Sequence, residues 1–367
     1  MEIRKIVITG GPCAGKTTAL SWIQNAITRL GFRVLFVPET ATELIGGGVA
    51  PWTCGTNLEY QKCQLQMQLF KEKIFEQAAH TMNEEKILIV CDRGALDNKA
   101  YMNDAEFSAV LEYLGADETK LRNSYDAVFH LVTAAEGAET YYTTINNAAR
   151  YETVAEAQAL DQRLLSAWTG HPHLRVIDNS TGFETKMKRL ITEISYFLGA
   201  PEPFEAERRF LIEYPDIRRL ESLPNCQHVK LTETYLSSDN GGEIRVRRRG
   251  LNGHYTYYET TKIVRGSAGK VETERKLSGD EYRSLLLNAG PETPRVQKDR
   301  FYIVHRSQYF RVDIYPFWKD RAIAEIELGD GNREIDFPEE IRVIREVTRD
   351  DSYRSASIAE RYRMDIE

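Results

Sequence analysis

One octapeptide constrains this chain more than any other feature. Gly10-Gly11-Pro12-Cys13-Ala14-Gly15-Lys16-Thr17 fits G-x-x-x-x-G-K-[ST], follows a short apolar run at 6–9 and opens a helical pattern at 17–30 that Gly31 closes. Glycines let such a loop wrap so that successive N–H groups face phosphate oxygens, and the helix N-terminus adds a favourable dipole. In that arrangement residues 10–18, through Thr18, line the nucleotide phosphates. Lys16 reaches the outer phosphates and the Thr17 hydroxyl binds Mg²⁺.

A strand–loop–helix start belongs to an α/β sheet, and the next 180 residues keep that rhythm. Apolar strands are expected at 32–37, 87–91, 127–132 and 174–177, with helices at 58–82, 105–114, 154–168 and 184–198. Strands alternating with helices make a parallel sheet covered on both faces. Asp92 ends the third apolar run, where a carboxylate holds Mg²⁺ directly or through water, with helix capping as its alternative. Arg93 follows it. Glu39 comes just after the second strand, at the ligand-binding edge of such sheets, either as a base toward an acceptor hydroxyl or as a plain N-cap or surface carboxylate.

Two prolines in Gly199-Ala200-Pro201-Glu202-Pro203 break the pattern and mark a linker, giving domains 1–200 and 201–367. Beyond it the texture changes to short alternating runs separated by turns such as Asp239-Asn240-Gly241-Gly242 and Leu251-Asn252-Gly253, expected to form an antiparallel β-barrel with one or two helices, among them 280–288. Residues 1–200 carry 19 Lys+Arg and 24 Asp+Glu, leaving 29 and 31 for the shorter second part. The alternation places these charges on shared faces: Glu205, Glu207 and Arg209 together, then Arg245 and Arg247, Glu272 and Glu274, Arg311 and Asp313, Glu325 and Glu327, with Lys262 and Arg300 on further strands. Several strands of like charges on one face repel unless a ligand or a counter-charge answers them. Arginine forks suit phosphate oxygens, and paired glutamates suit Mg²⁺ or Mn²⁺ bridging to the same phosphates.

The remaining features exclude classes. A net charge of −7 argues against a nonspecific nucleic-acid binder, and no apolar stretch is long enough to span a bilayer, although peripheral membrane contact stays open. Five scattered cysteines without a C-x-x-C pair fit neither a disulfide framework nor a zinc site, so a reducing cytoplasm is expected. His171 and His173, either side of Pro172, read as surface residues, and Tyr255, Tyr257 and Tyr258 as strand packing.

The octapeptide with Thr18, Pro38-Glu39-Thr40-Ala41, Cys91-Asp92-Arg93-Gly94, Asn147-Ala148-Ala149-Arg150, Asp161, Trp168 and Val176-Ile177-Asp178-Asn179 resemble the P-loop domain of the nicotinamide-riboside kinase part of bacterial NadR proteins and of the animal TRP-channel translocation-defect proteins. That resemblance implies a kinase-type fold in which Arg150 sits in a lid over the phosphates; an exposed helix arginine is its alternative. The second part resembles the CYTH or triphosphate-tunnel family, whose E-x-E-x-K signature appears here as Glu205-Ala206-Glu207-Arg208-Arg209, with Arg in place of Lys. Together the two likenesses imply binding of ATP or GTP, with base preference open since no Asn/Thr-Lys-x-Asp motif is apparent. They also imply a tunnel that hydrolyses or senses a triphosphate or polyphosphate, or binds a phosphoinositide-type ligand.

Overall fold

The computed structural model describes residues 1–142, 153–200, 207–236, 242–251, 253–264, 270–290, 293–328 and 334–362. Arg150 with its neighbours 147–149, Glu205, and the turn residues Asp239, Asn240, Gly241 and Asn252 lie outside them. The chain divides into two compact units, Met1–Ile191 and Thr192–Glu367.

Unit 1 begins with β1 (Glu2–Thr9), α1 (Lys16–Thr28), β2 (Arg33–Val37), α2 (Thr40–Gly46), α3 (Asn57–Thr81) and β3 (Lys86–Asp92). A 3-10 helix (Ala95–Tyr101), α4 (Asp104–Leu114), α5 (Glu118–Asn123), β4 (Ala127–Leu131), α6 (Val154–Trp168), β5 (Leu174–Ile177) and α7 (Phe183–Phe197), within which the unit boundary falls, follow. All strands are parallel, in the order β2-β3-β1-β4-β5, which puts β1 and its outgoing loop at the centre of the sheet. Ile6, Val7 and Ile8 on β1 and Ile87 to Cys91 on β3 are sealed from solvent, as a sheet covered on both faces requires. β1 starts at Glu2, earlier than its apolar run, because Arg4 and Lys5 find carboxylate partners: Arg4 takes Glu2, and Lys5 takes Glu72 and Glu76.

Unit 2 contains β6 (Glu207–Glu213), α8 (Ile217–Glu221), β7 (Cys226–Leu236), β8 (Glu243–Leu251), β9 (His254–Val264), β10 (Lys270–Leu277), α9 (Gly279–Asn288), β11 (Arg295–His305), β12 (Gln308–Ile314), β13 (Arg321–Glu327), β14 (Val343–Glu346) and α10 (Ser355–Arg361). Nine strands form one antiparallel sheet in the order β10-β9-β8-β7-β11-β12-β13-β6-β14. Its two faces differ sharply. One is apolar: Phe210, Ile212, Phe301, Phe310, Val312 and Ile326 pack under Ile217 and Leu220 of α8 and Phe337. The other carries the odd-numbered charged residues of β6, β8, β12 and β13 together with the even-numbered Lys298 and Arg300 of β11.

Two expectations need correction. His171 is fully buried, because its Nε2 meets the Tyr125 carbonyl oxygen, 46 residues back, at 3.1 Å and its ring packs edge-on to Trp168. Tyr255 is exposed under the Arg248 guanidinium, whereas Tyr258 is buried and Tyr257 packs on Tyr282 of α9.

Candidate functional site

The phosphate loop of unit 1 is shaped by backbone that side chains would obstruct. Gly10 has φ 135°, and a Cβ there would lie 2.0 Å from the Leu131 carbonyl oxygen of β4. The loop is also braced from three elements. Asp161 of α6, fully buried, accepts the Gly11 N–H through Oδ1 at 2.5 Å and faces His130 Nε2 of β4 through Oδ2 at 3.1 Å. Thr133 donates its hydroxyl to the Pro12 carbonyl at 2.5 Å. Lys186 of α7 donates to the carbonyls of Ala14 at 3.2 Å and Val132 at 2.7 Å and to Asn179 Oδ1 at 2.7 Å, while Asn179 in turn donates to the Thr133 and Glu136 carbonyls. Burial brings the Lys186 pKa down to about 8.

Lys16 donates to the carbonyls of Gly10 at 2.8 Å and Gly11 at 3.0 Å, folding back over its own loop. Burial, and then the neighbouring Arg93, bring its pKa down to about 8. Thr17 and Thr18 lie exposed in the first turn of α1, while Cys13, at φ 57°, and Ala14 complete the loop. Asp92 ends β3, and its Oδ1 is buried with no hydrogen-bond partner among the described residues. Burial raises the Asp92 pKa, against the pull of Lys16. A buried carboxylate oxygen lacking a donor, on the sheet edge that carries the loop, fits a hard cation whose other ligands are a hydroxyl, phosphate oxygens and water. Asp92 does not cap the next helix, since Gly94 holds that position.

Arg93 occupies the left-handed region at φ 68°, and Gly94 beside it is pressed against Trp168, whose ring leaves no room for a Cβ. Asp97 holds this turn: Oδ1 accepts from Thr9 Oγ1 at 2.7 Å and Trp168 Nε1 at 2.6 Å, and Oδ2 accepts from the Gly94 N–H at 3.3 Å. Backbone held outside its comfortable region by such a network is characteristic of functional turns. Arg93 Nε donates to Glu39 Oε1 at 2.7 Å, and Thr42 donates its hydroxyl to Glu39 Oε2. Burial alone would raise the Glu39 pKa; Arg93, Thr42 and Lys16 together bring it down to about 2. Glu39 stands at the N-cap of α2, but its side chain makes no capping bond.

On the charged face of unit 2 the sheet register brings the expected residues into rows. Glu325 pairs across with Arg209 on one side and Arg311 on the other, and Glu327 lies opposite Glu207. Arg209 donates to Glu325 at 3.0 Å and Glu207 at 3.3 Å, and Arg311 donates to Glu327 at 2.6 Å. Across the sheet Arg245 lies between Glu233 at 3.4 Å and Glu272 at 3.5 Å, and Arg247 between Glu233 and Glu274 at 3.6 Å each. Lys262, a third exposed, meets Glu272 at 3.5 Å. Arg300 is bidentate to Asp313 at 2.6 and 2.7 Å and reaches Glu325 at 3.3 Å. At the middle lies Lys298, 1% exposed, with Nζ 2.8 Å from Asp313 and 3.1 Å from Glu233.

The electrostatics follow from this mutual enclosure. Burial opposes charge on Arg209, Arg300 and Arg311, but the facing carboxylates raise their pKa values. Lys298 and the arginines hold Glu233 well below the usual carboxylate range despite burial. Arg245 Nε is buried with no hydrogen-bond partner among the described residues, while Arg247 Nε faces Glu233 Oε1 at 3.6 Å, beyond hydrogen-bond distance. Glu207, Glu325 and Oε1 of Glu327 are engaged by arginines, and no set of three metal-binding side chains comes together among the described residues. Glu205, the fourth carboxylate expected to hold a metal ion with Glu207, Glu325 and Glu327, lies outside the described residues.

Glu233 escaped the sequence reading because no like charge stands two residues from it in its strand, Lys298 although it stands two residues from Arg300, and Asp97 and Lys186 because their partners lie far off in the chain. Residues 5–186 match the family model of the AAA domain. Two solved structures share 23% identity with the chain: "the hypothetical protein NE1496", with 42% of this chain and 96% of that one covered at a TM-score of 0.30, and "the inorganic triphosphatase NE1496", with 42% and 93% covered at 0.29. No curated protein matches. The narrower likeness to the TRP-channel translocation-defect proteins therefore rests on the sequence motifs alone.

Proposed function

We propose that unit 1 binds a nucleoside triphosphate with Mg²⁺ and transfers or hydrolyses its terminal phosphate, and that the charged face of unit 2 binds a phosphorylated ligand. The observation carrying the first part is the joint geometry of Lys16, folded onto its own loop carbonyls, and the partnerless Asp92 Oδ1 on the same sheet edge. Phosphate oxygens offer Lys16 better acceptors than Gly10 and Gly11 do, so binding releases those two carbonyls. Mg²⁺, when bound through Thr17 and Asp92, neutralises charge on the phosphates. A carboxylate whose pKa is lowered to about 2 is a poor proton acceptor near neutrality, so Glu39 serves to position Arg93 rather than to act as base. Arg93 and, as the motif resemblance implies, Arg150 supply positive charge to the transferring group.

For unit 2, a polyphosphate or phosphoinositide-type ligand suits the arginine-rich face and the Arg245 Nε donor. A second reading, a nucleotide-regulated binding switch without turnover in unit 2, is favoured by the engagement of Glu207, Glu325 and Glu327 with arginines and by Arg209 in place of lysine. The motif likeness to the TRP-channel translocation-defect proteins supports it. Phosphate release with Mg²⁺ and ATP, GTP or tripolyphosphate separates the readings. Turnover of tripolyphosphate that survives Lys16→Ala and disappears in Glu325→Ala/Glu327→Ala makes unit 2 an enzyme. No release from any of the three substrates, with binding retained, makes the protein a switch.

A further inference from the structure

The sheet order of unit 1 gives the phosphate loop two unlike sides. Asp92 and Arg93 stand at the end of β3 and Glu39 follows β2, so the charged groups around Lys16 and the outer phosphates lie on the β3 side of β1. A nucleotide laid along the loop with its terminal phosphate there carries its base toward the other side, over β4 and β5. The turn that follows β5, residues 178–183, returns to the loop on that side. A Cβ on Gly15, the residue before Lys16, would lie 2.7 Å from Cε2 of Phe183, so the ring is in contact with the loop itself. Phe183 is nevertheless 51% exposed, while Met187, one turn further along α7, is fully buried. An aromatic ring is thus held against the loop with half of its residue's surface open to solvent.

The polar side chains of the same turn are committed to holding its shape. Asp178 Oδ1 accepts from Arg189 Nη1 at 2.8 Å, from Ser180 Oγ at 2.6 Å and from the Ser180 N–H at 3.2 Å. Asn179 donates its amide N–H groups to the Thr133 and Glu136 carbonyls at 2.7 Å each, and its Oδ1 accepts from Lys186 Nζ at 2.7 Å. Adenine and guanine differ along their edges, where a carboxylate or an amide tells them apart, whereas an aromatic ring offers every base the same contact on its face. Thr181 contributes a hydroxyl, which donates or accepts as required and so serves either purine. We propose that Phe183 is the platform on which the nucleobase stacks, and that this turn holds the base by its face without reading its edge, so that ATP and GTP are accepted alike. The inference rests on the reading that unit 1 binds a nucleoside triphosphate, and it adds where the base lies and what holds it there.

The test is calorimetric titration of the full chain with the β,γ-imido analogues of ATP and GTP in Mg²⁺, counting the binding that Lys16→Ala removes. The two analogues are expected to bind the parent within about fivefold of each other. Phe183→Ala is expected to weaken both by about fivefold or more, the loss of one base–aromatic stack, and Phe183→Tyr to recover most of that loss. Phe183→Trp reads the stacking directly: its fluorescence is expected to be quenched by either analogue and not by tripolyphosphate, which has no base. Near-ultraviolet circular dichroism selects variants that keep the parent fold, and Phe183→Trp carries the test where Phe183→Ala does not fold. A folded Phe183→Ala that loses less than about fivefold for either analogue, or Phe183→Trp emission that neither analogue changes, overturns the platform. A parent that prefers one analogue by more than about fivefold shows that the edge of the base is read and overturns the shared acceptance of ATP and GTP. A parent that binds neither analogue overturns the nucleotide reading of unit 1 itself, and Lys16→Ala then changes nothing.

Discussion

Replacing Lys298 by Met removes a buried cation from between two buried carboxylates and keeps much of the side-chain volume. Nζ stands 2.8 Å from Asp313 Oδ2, 3.1 Å from Glu233 Oε2 and 2.9 Å from Ser355 Oγ of α10, and Lys298, Glu233 and Asp313 are all almost wholly buried. Breaking a buried pair by deleting one partner costs about 3–5 kcal/mol, because the other charge remains without water. Here Asp313 keeps its bidentate Arg300 and Glu233 keeps Arg245 and Arg247, which places the cost at the lower end, about 3 kcal/mol. For a unit of this size the melting temperature then falls by roughly 6–12 °C. The assay is urea unfolding followed by near-ultraviolet circular dichroism, with the midpoint lowered and the slope unchanged. A loss below about 1 kcal/mol would show that Lys298 is solvated or dispensable and would refute the account of the face as a closed lattice of charges.

Other outcomes follow from unit 1. Phosphates binding Lys16 raise its pKa from about 8, so between pH 8 and 10 nucleotide binding takes up a proton and weakens as pH rises; calorimetry in buffers of different ionisation enthalpy reads this uptake, and Lys16→Ala abolishes it. Glu39, lowered to about 2 against an unfolded value near 4.5, contributes stability that is fully present above pH 4.5 and is lost as pH falls toward 2. Urea midpoints between pH 2.5 and 6 should therefore fall less steeply with acid in Glu39→Gln, and identical slopes would contradict the pairing with Arg93. Asp161→Ala removes the Gly11 brace and leaves His130 buried beside a cavity, so nucleotide affinity should drop about tenfold or more, and unaltered affinity in the folded variant would remove Asp161 from the loop's support.

The strand–loop–helix of unit 1 was legible because its signals are local: an apolar run, glycines at fixed spacing and a helical period. Helix α6 and strand β5 have the bounds that periodicity gave them, since capping by Thr153 and burial on both sides coincide with the pattern. The alternating charges of unit 2 were legible for the same reason, as period-two placement fixes the face before the pairing is known. Partnership was not. Nothing near Asp97 announces Trp168 seventy-one residues on, and nothing in β7 or β11 announces that Glu233 and Lys298 meet. The partner of Glu39 fell in the same gap, because nothing after β2 announces the Arg93 side chain that stands against it.

Asp161 stands eight residues beyond Thr153, the cap of α6, and the chain carrying Arg150 ends where that cap begins. At 1.5 Å per residue those eight positions measure about 12 Å along a rigid rod of just over two turns. Adding or deleting one residue between them swings Asp161 by about 100° around the helix axis, off Gly11, with no change in composition or charge. The helix thus acts as a fixed ruler whose length, rather than whose sequence, sets where the loop's brace falls.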